Sequence, residues 1–437
     1  MSSTATLPTE AARVHVRLTQ DHLRLALATA VLALIWISLR PFEAEYIRSG
    51  EAVQAGRLIN QLGYSAMAAA VLATIVSLVD RRVVGAFVGV PWIAMLAIVA
   101  ASALTGDPGE SVWRSVLFSL IAAGLAGSVA LLPASLRDFD RAIAIAAIAL
   151  LATCYAGLLV FPDAAVHQAG EFEAEHAGLW RGTFTHKNIA GPVMVMVGFA
   201  GIYLMRRGRL GAGALIAALA FAFMVQAGSK TSLALAPVVV AIVLVPALAG
   251  LRPLAVVASL AAIAGTHMLT LGSVFVPAFD TVLTSIVADV TFTGRTAIWD
   301  FAGDYVLSRP WTGFGYEGFW RTPLLLDTEQ PFDRSWDPRG IIHGHNGFMD
   351  VVLFFGLPGL ALMVWLVAIA PAIDYARSGH SRDNAILADL FYMIAVFSVL
   401  TAALESFYFR RADPIWLTTL VALGGLRLTA RLPMRGD

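Results

Sequence analysis

Two histidines separated by one residue, His343 and His345, stand with Asn346 at the mouth of a long apolar run. An imidazole titrates near about 6.5, so His345 suits taking or giving a proton at neutral pH. The stretch leading to them, Pro277 to Asp350, is the one long polar segment of the chain. It carries Arg295, Arg309, Arg321, Arg334 and Arg339. A guanidinium offers planar two-point contact to phosphate. Cations beside an imidazole read as a place where a phosphate-bearing substrate meets a general base. The pair His343-x-His345 also offers two metal ligands. A zinc site needs a third protein ligand and a carboxylate or carbonyl behind each imidazole. None stands at a recognisable spacing, so no metal and no other cofactor is expected. A helix-capping histidine is the plainer alternative.

Two earlier motifs add cations. The first, R-G-T-F-T-H-K-N, places Arg181, His186, Lys187 and Asn188 at the start of an apolar run. Basic side chains at a helix N-terminus join the dipole and backbone N–H groups in an anion site. Snorkelling toward lipid headgroups competes with that reading. The second, A-G-S-K-T-S, puts Lys230 in a minimal turn between two apolar runs. A cation at the edge of hydrocarbon marks a functional site by default; a turn whose lysine snorkels is the alternative. No phosphate-binding P-loop is formed, because G-x-x-x-x-G-K-[ST] is incomplete. Within the polar segment, T-G-R-T-A-I-W-D begins an amphipathic stretch to Leu307. It reads as a helix at the membrane interface anchored by Trp299. The aromatic S-R-P-W-T-G-F-G-Y-E-G-F-W that follows suits sugar rings or the bilayer surface equally. The acidic residues Glu171, Glu173, Glu175, Asp289, Asp300, Asp304, Glu317, Asp327, Glu329, Asp333 and Asp337 pair with these arginines or stay solvated. The D-F-D of Asp138 to Asp140 reads as a solvated turn.

The elements that position these groups follow from composition. Of 437 residues, 58% are hydrophobic and 14% charged; soluble domains carry about 25% charged residues. Formal net charge is zero, which removes the case for nucleic-acid binding. The single cysteine, Cys154, excludes a disulfide framework. A span needs about 20 mostly apolar residues, and such windows number about twelve. They lie near 23–40, 62–79, 83–104, 112–132, 141–161, 188–205, 210–227, 231–250, 253–276, 346–371, 385–405 and 413–428. The expected architecture is therefore an all-α polytopic integral membrane protein. Residues 1–22 form a cytoplasmic tail without a signal-peptide cleavage pattern. Nine spans fill 23–276, a large periplasmic loop fills 277–345, three spans fill 346–428, and 429–437 is a second cytoplasmic tail. Orientation comes from basic residues in short connections. With Arg13, Arg17 and Arg24 inside, alternate connections carry Arg81, Arg82, Arg137, Arg141, Arg206, Arg207, Arg209, Arg252, Arg377, Arg382, Arg427, Arg431 and Arg435. The outward connections are then 41–61, 105–111, 162–187, 228–230, 277–345 and 406–412.

Over roughly residues 175–375 the chain resembles the O-antigen ligase and polysaccharide polymerase superfamily of bacterial inner-membrane proteins. The marks are G-T-F-T-H-K-N-I-A-G, G-S-K-T-S-L, T-G-R-T-A-I-W, R-P-W-T-G-F-G-Y and H-N-G-F-M-D-V-V-L-F-F-G-L-P-G-L, in that order. The H-K-N form is most similar to the exopolysaccharide polymerases. The resemblance implies a multi-pass inner-membrane glycosyltransferase, metal-independent, with its active site facing the periplasm. It implies an undecaprenyl-diphosphate-linked glycan donor and a glycan or lipid A-core acceptor. Further partners are membrane lipids and polysaccharide export or chain-length proteins. Essential basic residues fall at Lys230 and Arg295, and the histidine at His345. Ligases of the family often carry arginine at the Lys230 position.

The physical basis is charge development. Breaking a glycosyl–diphosphate bond builds negative charge on the leaving phosphate, which fixed cations stabilise. Lys230 and Arg295 are expected to hold the diphosphate, with Arg181, Lys187 and the neighbouring His186, Asn188, Arg309, His343 and Asn346 at the substrate. His345 is expected to draw the acceptor proton, with inversion at the anomeric carbon. A flippase of lipid-linked sugars should instead show two related halves with broken helices near mid-bilayer. A metal-dependent protein oligosaccharyltransferase should fail in chelator.

Overall fold

The computed structural model describes residues 10–42, 50–104, 110–170, 174–287, 290–327 and 336–433. Glu171, Glu173, Asp289, Glu329, Asp333, Arg334 and Arg435, and the side chains of Arg13 and Arg17, lie outside the described residues. The chain is α-helical, with no strand among the described residues. In chain order the helices are α1 (Glu10–Ile37), α2 (Gly50–Leu78), α3 (Arg81–Phe87), α4 (Val90–Ser102), α5 (Glu110–Leu131) and α6 (Leu136–Val160). Then come α7 (Lys187–Arg206), α8 (Leu210–Ala227), α9 (Lys230–Leu248), α10 (Arg252–Leu269), α11 (Leu271–Phe275), α12 (Pro277–Ile286) and α13 (Arg295–Ser308). The last three are α14 (Gly347–Arg377), α15 (Arg382–Thr401) and α16 (Pro414–Arg431). Ten described helices are long and apolar enough to cross a membrane, and α3 with α4, bent by 66°, makes an eleventh candidate. The chain is thus a polytopic membrane protein. The twelfth expected segment forms α16, a buried helix that is not one of those ten.

Between spans the hydrocarbon supplies no drive to associate, so small residues and polar contacts do. Helices α7 and α8 cross at Gly201 and Gly213. A Cβ on Gly201 would stand 2.7 Å from the Gly213 carbonyl, and one on Gly213 2.6 Å from the Gly201 carbonyl. Helix α15 is the central element, buried almost throughout. Its Asp389 accepts from Arg206 (2.7 Å), Arg252 (2.8 Å) and Tyr375 (2.8 Å), tying α7, α10 and α14 to it. Asp140 is also buried, bonded by Tyr203 and paired with Arg207. The D-F-D segment is therefore not a solvated turn. Its partners come from α7 and the residue after it, remote in sequence, and local composition does not reveal them.

Among the described residues, two spans break at a glycine followed two residues later by a proline, and a third stops early. The bend after α3 falls at Gly89, ahead of Pro91, and Arg427 of α16 donates to the freed carbonyls of Ala86 (3.1 Å) and Val88 (3.0 Å). Helix α14 is kinked at Gly356, whose φ of 67° suits glycine. There the loop segment 310–315 fills the gap: Leu357 N–H donates to Pro310, and Phe314 and Gly315 donate to Leu353 and Phe354. Helix α10 stops at Leu269, so the expected span 253–276 is shorter, and its last residues turn away as α11.

The two ends of the bundle differ in chemistry. One gathers Arg24, Arg141, Arg206, Arg207, Arg252 and Arg427 with Asp140, Asp383 and Asp389. The other gathers the three sequence motifs.

Candidate active site

The H-G-H-N segment is fixed from several sides. Trp299 of α13 donates its indole N–H to the Gly344 carbonyl (2.8 Å). Gly344 N–H and the Trp320 indole both donate to Asp350, at 2.9 and 2.7 Å. Trp299 is fully buried, so it is not the lipid anchor expected from the pattern of α13. The indole faces inward because a carbonyl in the H-G-H turn needs a donor. Asn346 is also buried. Its side-chain oxygen caps α14, and its amide donates to Ala403 (2.9 Å). It holds backbone, and it reaches the site only through that role. His345 adopts φ of 49°, a conformation that costs a non-glycine residue energy and clusters at functional sites.

The rings of His343 and His345 touch, with centroids 4.2 Å apart. The His343 Nδ1 accepts the His345 backbone N–H at 3.3 Å, so a neutral His343 carries its proton on Nε2. Burial holds the His343 imidazole well below its ordinary value, helped by the charges of His345, Arg410, Arg295 and His186. His343 is thus neutral at pH 7.

Arg295, the first residue of α13, donates to Glu405 at 3.0 Å. Glu405 lies in the connection between α15 and α16 and was not singled out from sequence. Burial pushes its carboxyl above the usual range, against the pull of Arg295, His186 and Arg410. Glu405 and Arg410 are the site residues that sequence reasoning missed. The available signal was an acid and two arginines packed into 405–411 at the mouth of a span.

His186 caps α7. Its Nδ1 accepts the Asn188 N–H (3.1 Å), while His167 accepts the Lys187 N–H (3.1 Å). The first N–H groups of α7 therefore go to imidazoles, which modifies the expected anion site there. The rings of His167, His176 and His186 pack edge to face, 4.9–5.7 Å apart. Lys187 and Asn188 are half-buried beside them. Arg181 differs from its expected place at substrate. It is 1% exposed, and its guanidinium donates to the Ala164 and Asp163 carbonyls at 2.8 and 3.2 Å.

Lys230 opens α9 and is exposed, with no hydrogen bond or ion pair among the described residues. Its turn packs on the first turns of α7, because a Cβ on Gly191 would meet the Ser229 side chain at 2.4 Å. No side chain caps α9, so its N–H groups and dipole add to the lysine charge. The structure thus brings Arg295, His186, His343 and His345 together around Glu405, with Lys230 on the neighbouring helix end. Arg309 is apart, at the far end of α13, with its guanidinium over the Phe314 ring at 4.8 Å.

The described residues thus form a helical membrane bundle with an arginine–histidine–glutamate cluster at one end. Residues 189–364 match the profile of a family described as O-Antigen ligase. The chain is also 28% identical, over 206 residues, to the exopolysaccharide production protein ExoQ of Rhizobium meliloti (strain 1021). That match covers 43% of this chain and 45% of the relative. Over these parts of its length the chain is similar to O-antigen ligases and to an exopolysaccharide production protein, and it spans less than half of that relative.

Proposed function

We propose that this chain is a glycosyltransferase of the polysaccharide polymerase or ligase type, acting on the periplasmic side of the bacterial inner membrane. The donor is a glycan on undecaprenyl diphosphate and the acceptor a hydroxyl of a second glycan. One observation carries the reading: Arg295, Glu405, His186 and the His343–His345 pair, from separate segments, meet at one end of the bundle. That end lies opposite the arginine-rich connections, which the positive-inside rule places in the cytoplasm.

The acceptor oxygen attacks the anomeric carbon and forms the new glycosidic bond. The bond from that carbon to the phosphate oxygen breaks, and its electron pair leaves with the diphosphate. His345 takes the hydroxyl proton. Arg295 and Lys230 stabilise the leaving charge. Glu405 keeps Arg295 oriented and partly neutralised until phosphate takes its place. His343, neutral, sets the His345 backbone. Arg181 has no phosphate contact in this reading. The H-K-N form and the ExoQ relative favour the polymerase branch.

The test is a deletion strain whose secreted polysaccharide and lipopolysaccharide are both run on gels, then complemented. Loss of secreted polymer with normal lipopolysaccharide is expected. Core lipid lacking long chains would select a ligase instead. Full output from Arg295→Ala at normal membrane levels overturns the mechanism.

A further inference from the structure

The residues just past α10 form an apolar surface that the protein itself leaves uncovered. Helix α12 is amphipathic: Ala278, Phe279, Val282, Leu283 and Ile286 share one face, and Asp280, Thr281, Thr284 and Ser285 the other. Leu283 is buried, yet Val282 is 47% exposed and Ile286 68%. The apolar arc is wider than the strip the protein covers. It continues into Phe275 of α11, 49% exposed, and Leu307 of α13, 78% exposed. Phe275 packs over Gly303, where a Cβ would meet its ring at 2.5 Å, and Leu307 lies one turn further along α13.

Continuity with a span identifies what covers this surface. Only Thr270 separates α10 from α11. Helix α10 is a membrane-crossing candidate, and its outward Leu254, Val257 and Met268 are exposed. Those side chains face acyl chains, and the patch extends the same apolar strip from the span's site end. Short helices with a wide apolar face and a polar back lie in the interfacial layer, sunk about 5–10 Å into the headgroup–acyl boundary.

We propose that α11 and α12, with Leu307, lie in the outer interfacial layer of the bilayer, with Val282 and Ile286 among the upper acyl segments. The contact between Phe275 and Gly303 then fixes the depth of α13, and so of Arg295, relative to the lipid headgroups. The proposal requires only a membrane-spanning chain and stands apart from the glycosyl-transfer reading.

The test uses the full chain in vesicles of phosphatidylethanolamine and phosphatidylglycerol. Cys154, the only cysteine, is buried and is replaced by alanine. An environment-sensitive fluorophore is attached at Ile286→Cys, or at Thr284→Cys on the polar face. Val282→Cys provides a second apolar position should the first variant express poorly. Lipids carrying a spin label near the top of the acyl chain should quench the apolar-face label at least about threefold more than the Thr284 label, as interfacial burial requires. Aqueous iodide should quench in the opposite order. Equal iodide quenching at both positions overturns the proposal. So does protection from both quenchers with cross-linking between copies, which would make the patch a self-association face.

Discussion

At the scale of single residues, the site is a cation held by an anion beside two unlike histidines. Arg295→Ala removes the planar contact and the charge, and transfer should fall by roughly a hundredfold or more. Arg295→Lys should restore only part, because a point charge cannot make two-point contact. Both are read as polymer output per unit of membrane-inserted protein. His343 adds a pH dependence of stability. Its folded value lies well below its ordinary one, so the unfolded chain binds more protons as pH falls below about 6.5. The stabilisation is complete above that pH and is lost as pH drops. Thermal melts in detergent between about pH 7 and pH 5 should show a falling midpoint. His343→Asn should flatten that slope. Glu405, raised by burial, contributes a slope of the opposite sign, so the test is the difference: a pH slope unchanged in His343→Asn would mean His343 is not the buried neutral group described. Of these residues, His343, His345, Arg295 and Lys230 stood out in sequence by type and motif. Glu405 did not, because an acid ending an apolar run looks like any span terminus. Arg181 did, but its type revealed nothing of the carbonyls it meets.

At the scale of elements, two contacts position the site. Helix α7, capped by His186, is held against α8 by the Gly201–Gly213 crossing. Gly213→Val forces backbones apart, since the nearest atoms are main chain. Overpacking of this kind costs about 1–3 kcal/mol. Gly211 meets nothing within 4 Å, so Gly211→Val is the matched control in the same melt. The second contact is the Trp299 indole on Gly344. Trp299→Phe keeps a ring and removes a hydrogen bond worth about 0.5–1.5 kcal/mol. The expected result is reduced output at unchanged protein level, because the strained His345 turn loses its brace. Output equal to wild type would show that α13 positions Arg295 alone. The helical content of α13 was legible from its pattern. Its depth was not, because an amphipathic period looks the same whether the face meets lipid or protein.

At the scale of the whole molecule, the arginine-rich end is a lock and the histidine-rich end the proposed site. Asp389 bonds Arg206, Arg252 and Tyr375 at once. Asp389→Ala would strand two cations, and breaking a buried pair typically costs about 3–5 kcal/mol. Membrane levels should fall with the melting midpoint. A variant that lost polymer output while remaining fully stable would place Asp389 in the chemistry instead. A chelator separates the proposed glycosyltransferase from a metal-dependent oligosaccharyltransferase: on the proposed reading, polymer formation in isolated membranes should be unchanged by it.

Sequence alone determined that the chain is a helical membrane bundle, roughly where its spans run, and which end carries basic connections. These are local properties: the length of an apolar run and the charges flanking it. Tertiary structure decided what those side chains meet. Arg295 and Glu405 are 110 residues apart, and Arg207 and Asp140 67. Gly356 and Pro358 signal a break in sequence, but nothing in the composition shows that the segment 310–315 fills it. Partners chosen across such separations depend on how helices pack, and packing among apolar spans leaves little trace in hydropathy.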